Sequence, residues 1–383
     1  MKKNIVLTVL MTMTAAFCFG CAGMTGSDDD TKRHTGPASV PGQTEAEETE
    51  PAEMTETSSS PTPEPTATPE PTPDVDTTAP FFINIIRDAY LTAGDEFNID
   101  KFISYIDDRD SEIDLVVSGS VDPSVTGSYP LSLTITDDAG NQTSDQITVH
   151  VVAPQEGGDP GDYTATSTSN ATPFSDFCGT YEGDSIHYGI DVSKWQGSID
   201  WEQVASAGCE FAFIRAGWSS QGQFHEDEFF VANVTGAKAA GIAVGVYVYT
   251  TDNTVEDVQA LADTMCDLVD GYDIELPIVF DWENFFDGFQ KYRLSISDVN
   301  DLYRAFRERV RERGYNSMLY ASKFILDVIW EDEFVEVWLA HYTANTDYQG
   351  IYRVWQQSCT GSVPGIDAYV DMDLYYGTLP GGN

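Results

Sequence analysis

Two hydrophobic rhythms divide this chain. Between Pro80 and Val152 apolar and polar positions alternate: Ser132 and Thr134 separate Leu131, Leu133 and Ile135, while Thr148 and His150 separate Ile147, Val149 and Val151. Asp138-Ala139-Gly140-Asn141 stands between the two runs as a turn, so the pair predicts a hairpin within a small all-β sandwich. From Ser175 onward, strand-length apolar runs alternate with helical spacing. Strands are expected over 186–191, 211–215, 242–249, 276–283, 316–322, 334–341, 352–358 and 368–374. Asp200 caps a short helix that Gly208 closes, and 228–240 reads as a second helix. Thr254 opens a third, with Val255, Val258, Leu261, Ala262, Met265 and Val269 on one face. Ser297 caps a fourth, with Val299, Leu302, Tyr303, Phe306 and Val310 inward and Gly314 as its stop. Eight strands, the first five joined by helix-length crossovers, predict an α/β fold. It is an irregular TIM-like (β/α) barrel with reduced helices on its last strands, preceded by the sandwich.

The remaining segments differ in composition. Lys2 and Lys3 precede an apolar run from Ile5 to Phe19, too short to span a bilayer and shaped like a secretory leader. Gly20-Cys21 at its end resembles a bacterial lipoprotein cleavage site. Residues 1–20 are therefore expected to be a signal peptide and Cys21 the lipidated residue, with the membrane a partner through that anchor alone. Plain secretion is the alternative. Residues 21–79 are expected to form an unfolded acidic spacer rich in Pro and Thr, because too few apolar side chains offset the entropy of ordering. Residues 153–182 read as a linker and 183–383 as the barrel.

Charge narrows the partners. With 19 basic and 63 acidic residues the net charge is −44, which excludes nucleic acid, whose phosphates need a Lys/Arg footprint. A monomer outside the cytoplasmic membrane is expected. Cys209 and Cys266 sit in apolar patterns and read as buried free thiols, whereas Cys178 and Cys359 leave pairing open. The loop Asp107-Asp108-Arg109-Asp110 has acids that calcium uses, but solvated loop acids are commoner, and no metal site is assigned.

Reactive groups of such a barrel belong at strand ends. Those ends supply Asp191, Arg215, Tyr247, Tyr249, Asp281, Glu283, Tyr320, Trp338, His341, Trp355, Gln356, Asp371 and Asp373. The key segment is Pro277-Ile278-Val279-Phe280-Asp281-Trp282-Glu283. In a strand, the i, i+2 spacing puts both carboxylates on one face, their Cα atoms about 6.6 Å apart. Two acids facing one pocket repel, so one keeps its proton while the other stays ionised. Glycosidic cleavage needs that division. Trp, Tyr and Gln nearby offer sugar rings a stacking face and hydrogen bonds. No short His spacing suits a metal, and no nucleophile elbow or phosphate loop appears.

Several of these stretches carry a family resemblance. GIDVSKWQGSIDW from Gly189, FAFIRAGW from Phe211, GVYVYT from Gly245, LPIVFDWE from Leu276, VWLAHY from Val337, VWQ from Val354 and VDMD from Val370 resemble the glycoside hydrolase family 25 lysozymes. That resemblance implies an N-acetylmuramidase that cleaves peptidoglycan glycan strands at the β-1,4 bond from N-acetylmuramic acid to N-acetylglucosamine, without a cofactor. It implies Glu283 as general acid, Asp281 as its partner, and Asp191 and Asp371 as the rest of the acidic cluster. Arg215, Tyr247, Tyr249, Tyr320, Trp338, Trp355, Gln356 and Asp373 are expected to bind substrate. Residues 80–152 resemble the immunoglobulin-like repeats of bacterial surface proteins, in which TDDAGN is a frequent turn. Two other functions stay open: a non-catalytic wall-binding or adhesion lipoprotein, and a hydrolase of another amino-sugar polymer such as chitin.

Overall fold

The computed structural model describes residues 75–154, 171–283 and 292–380. The expected signal peptide, Cys21, nearly all of the spacer and the middle of the linker lie outside the described residues.

The first unit is a two-layer sandwich. One layer pairs β1 (Phe81–Ile85) with β3 (Ile103–Ile106), antiparallel. The other comprises β2 (Asp88–Thr92), β4 (Asp114–Ser118), β5 (Gly127–Thr136) and β6 (Gln142–Val152), in the order β2-β6-β5-β4. β5 and β6 form the expected hairpin, and their alternation buries Leu131, Leu133, Ile147, Val149 and Val151 with Ala89, Leu91, Phe102 and Ile103. The small layer is covered on both sides, which explains the apolar density of FFINI. Ile85, Ile103 and Tyr105 face the sandwich core, while Phe81, Ile83 and Ile106 join the apolar core of the second unit.

The second unit begins earlier than expected. β7 (Thr172–Pro173) pairs with a barrel strand, and α1 (Phe174–Thr180) buries Phe174 and Phe177 against the barrel. Residues 172–180 are thus part of the folded barrel unit and not linker, because two buried phenylalanines cannot stay in water without cost. The chain continues through β8 (Ile186–Val192), α2 (Trp201–Ser206), β9 (Phe211–Ser220), β10 (Gln223–Glu226), α3 (Phe230–Ala239), β11 (Ala243–Thr250), α4 (Val255–Val269) and β12 (Ile278–Asp281). It ends with α5 (Ile296–Glu312), β13 (Ser317–Ser322), α6 (Lys323–Val328), β14 (Val337–Ala340), β15 (Val354–Ser362) and β16 (Val370–Tyr376).

Eight strands close the barrel in the order β8-β9-β11-β12-β13-β14-β15-β16, with β16 returning to β8. Neighbours run parallel from β8 to β15, but β16 is antiparallel to both its partners. No α-helix separates β14, β15 and β16, so the ring of helices covers only part of the wall. Apolar residues of the strands divide by parity. Val244, Val246, Phe280, Leu319 and Leu339 face the helices, while Phe211, Phe213, Val279, Met318, Tyr320 and Trp338 fill the interior.

The helices follow their capping signals closely. Asp200 caps α2 through the Gln203 N–H, and Thr254 caps α4 through Asp257. α5 starts two residues before expectation: Ser295, not Ser297, is its cap, in a reciprocal box with Asp298. Val255 stays exposed, because the first turn of α4 overhangs the core that buries Val258 through Val269. Cys209 and Cys266 are buried free thiols, and Cys178 and Cys359 form no disulfide with each other.

Candidate active site

β12 delivers the two acids. Within Ile278–Asp281, Phe280 points to the helices and Val279 into the barrel, so Asp281 also points inward. Beyond the strand's last residue, Trp282 returns outward and donates from Nε1 to the Asp252 carbonyl at 3.0 Å. Glu283 then falls on the side of Asp281, and a side-chain hydrogen bond links the two carboxyls. Asp281 is buried at 6 % exposure, whereas Glu283 retains an open portion. Glu283 also meets the Tyr320 hydroxyl.

The antiparallel direction of β16 completes the cluster. Its N-terminal residues, not its C-terminal ones, lie at the rim where the parallel strands end, so Asp371 stands opposite Asp191 in register. Gln356 on β15 donates from Nε2 to Asp191 Oδ2 at 2.7 Å, and its Oε1 accepts the hydroxyls of Tyr320 and Tyr342, both at 2.8 Å. One amide thereby ties four side chains into a fixed array.

Burial and mutual repulsion dominate the electrostatics. Desolvation raises Glu283 to about 7. Desolvation first, then the Glu283 charge, holds Asp281 well above the usual carboxylate range. Asp191, Asp371 and Asp373 are raised for the same first reason, with neighbouring carboxylates adding to it. The carboxyl pair therefore retains a proton near neutral pH, as like charges in a low-dielectric hollow require. Arg215 partly opposes the rise at Asp281, and its guanidinium is itself held by the buried Asp227 at 2.7 Å. A partly exposed acid that keeps its proton at pH 7, beside a buried partner, can protonate a leaving oxygen.

The chain resembles known proteins over both folded units. The family model described as Glycosyl hydrolases family 25 matches residues 190–366, and Bacterial surface protein, Ig-like domain, matches 83–151. The chain is similar to Lysozyme M1 of Streptomyces globisporus, at 32 % identity over 203 residues, covering 50 % of this chain and 68 % of that protein. The chain belongs to glycosyl hydrolases family 25. It is a glycosidase. The autolytic lysozyme of Clostridium acetobutylicum is 27 % identical over 198 residues, covering 51 % of this chain and 57 % of that one. Among solved structures, the bacterial lysozyme from Streptomyces coelicolor aligns at 29 % identity and a TM-score of 0.44, over 51 % of this chain and 94 % of that one.

The family 25 barrel gathers Asp191, Asp281, Glu283 and Asp371 at one rim, with Arg215, Tyr247, Tyr320 and Gln356 among them. Tyr249 stands beside Asp281 in register, partly exposed. Three of the expected residues lie away from the rim surface. Trp355 points out of the barrel, 1 % exposed, with Nε1 donating to the His341 carbonyl at 2.9 Å and its ring edge-on to Tyr181. It cannot line the groove, because its neighbour Gln356 already occupies the inward position and adjacent strand residues face opposite ways. Trp338 and Asp373 do face inward but lie beneath the rim, 1 % and 0 % exposed, bonded to each other at 2.8 Å from Nε1 to Oδ1. They form part of the floor beneath the acids. Two residues were missed: Asp227, which no strand-end reading reaches, and Tyr342, which continues the inward alternation of Trp338 and Ala340 past the end of β14.

Proposed function

We propose that this glycosidase cleaves the β-1,4 bond between N-acetylmuramic acid and N-acetylglucosamine in peptidoglycan, with Glu283 as the proton donor. The observation that carries the assignment is the acid pair at the end of β12: a buried Asp281 beside a partly open Glu283 that keeps its proton to about 7. Family membership and the lysozyme relatives support the substrate.

Glu283 gives its proton to the leaving glycosidic oxygen as the bond breaks. Oδ1 of Asp281 is buried without a hydrogen-bond partner. It accepts the N–H of the sugar's 2-acetamido group, a donor that a plain glucose ring lacks. Positive charge develops at the anomeric carbon, and the carboxyls of Asp191 and Asp371 stabilise it from the opposite side of the barrel mouth; water then supplies the hydroxyl to that carbon, and its proton restores the acid. Arg215, Tyr247, Tyr249, Tyr320 and Gln356 supply hydrogen bonds and ring faces to the glycan. The Cys21 anchor and the immunoglobulin-like unit hold this monomeric barrel against the wall, outside the membrane. Residues 172–383, the expected 183–383 with the segment before it, form the catalytic unit.

Glu283→Gln should reduce release of reducing sugar from purified peptidoglycan by about 10²- to 10⁴-fold while the protein still sediments with the wall. Mass spectrometry of wild-type fragments should show muramic acid at the reducing end. Undiminished turnover by the variant would remove Glu283 from its role, and N-acetylglucosamine at the reducing end would replace the bond assignment.

A further inference from the structure

Five aspartates converge where the sandwich meets the barrel. Ligand-type oxygens of Asp76, Asp107 and Asp108 lie within 4.8 Å of one another, and those of Asp76, Asp110 and Asp137 form a second triad sharing Asp76. The loop expected to be solvated is buried at its first acid. Asp107 is 0 % exposed and Asp137 6 %.

The hydrogen bonds of the first triad leave oxygens over. Asp107 Oδ1 accepts the N–H groups of Arg109 and Asp110, both at 2.9 Å, while Oδ2 is buried with no partner. Buried oxygens of Asp76 and Asp108, Oδ2 and Oδ1 respectively, are also unpartnered. Every member of the first triad therefore offers a desolvated, unsatisfied carboxylate oxygen. Arg109 lies 3.8 Å from Asp108. Buried unsatisfied acceptors are rare in folded proteins, and buried carboxylates are stable when paired or bound to metal.

We infer that this junction is a binding site for a calcium-class divalent cation, held by Asp76, Asp107 and Asp108, with Asp110 and Asp137 forming the adjoining triad through Asp76. The donor set is entirely hard oxygen, and a spacing up to 4.8 Å suits ligands lying about 2.3–2.6 Å from one ion. Contributions from separate stretches of chain give the adaptable geometry that calcium accepts and magnesium does not.

The position gives the ion a structural task. The Asp107 and Asp108 carbonyls accept the N–H groups of Ile296 and Ser297, at 2.9 and 3.1 Å, at the start of α5. Glu112 pairs with Arg293 alongside. A cation drawing in the 107–110 loop therefore fixes the sandwich to the helix that follows the Glu283 segment, and also pins the spacer's last residues through Asp76. Neither catalytic acid takes part.

Titrating calcium chloride into metal-stripped full-length protein by calorimetry should show a dissociation constant of about 10⁻⁴ M, typical of extracellular modules. The melting temperature should rise about 5 °C in 5 mM calcium relative to chelator. Asp107→Asn keeps the loop's acceptor and should weaken binding at least tenfold. Asp76→Asn, outside any strand, should do likewise without a folding risk. Absence of heat and of a melting shift would overturn the site. So would wild-type affinity in both variants, or an equal shift from magnesium at matched ionic strength.

Discussion

Gln356 Nε2 lies 2.7 Å from Asp191 Oδ2, joining β15 to β8 across the intervening β16. The same amide accepts Tyr320 and Tyr342, so its removal strands three polar groups at once. Gln356→Met should lower kcat on peptidoglycan about 10- to 100-fold, as loss of a hydrogen bond to a charged group predicts. Turbidity-clearing kinetics with the variant check this, and an unchanged kcat would mean that Asp191 keeps its place unaided.

The raised Glu283 fixes how activity depends on pH. A proton donor that titrates near 7 is lost as pH rises through that value, so kcat should fall on the alkaline side of about 7. Glu283→Asp should move this limb, since the shorter side chain changes the burial that sets it. A pH–rate profile of both proteins is the measurement.

Stability should carry the same signature. Burial disfavours the Glu283 carboxylate in the folded protein, so the native state holds its proton above the ordinary value of 4.5. Between about 4.5 and about 7 the folded state binds more protons than the unfolded chain, and stability falls as pH rises. Asp281, also raised, acts in the same direction. Melting temperature should decline over that range, and more gently in Glu283→Gln.

Trp338 supports Asp373 from below. Trp338→Phe keeps the stacking with Phe213, whose ring lies 4.6 Å away, but removes the Nε1–Oδ1 hydrogen bond. Depriving a buried carboxyl of one of its hydrogen bonds should destabilise the barrel by roughly 1–3 kcal/mol. Chemical denaturation would read this directly.

Gly245 leaves room for the barrel's interior rings. A Cβ there would stand 2.4 Å from Phe213 and 2.8 Å from the Leu276 Cβ. Gly245→Ala should cost about 1–3 kcal/mol through overpacking, with reduced activity because Tyr247 follows two residues later on the same face. A thermal melt and an activity assay separate the two effects.

Much of the site could be read from the chain because strands alternate. The apolar lead-in to Asp281 and Glu283 implied that both acids share a face, and Val279 and Phe280 confirm the parity. The same rule, applied to Trp355 and Gln356, would have excluded one of them from the groove. Asp227 carried no such signal, since its value lies in meeting Arg215 from a turn after β10.

What the sequence by itself determined was periodicity and capping: the strands, the main helices, the β5–β6 hairpin and the acid pair, all of which depend on residues within a few positions of one another. Tertiary structure alone decided the reversed direction of β16, which brings Asp371 to Asp191, the depth of Trp338 and Asp373, and the burial of Asp107. Each of these follows from partners remote along the chain. Local spacing fixes which way a side chain points from its own strand, but not which strand, rim or domain will be waiting there.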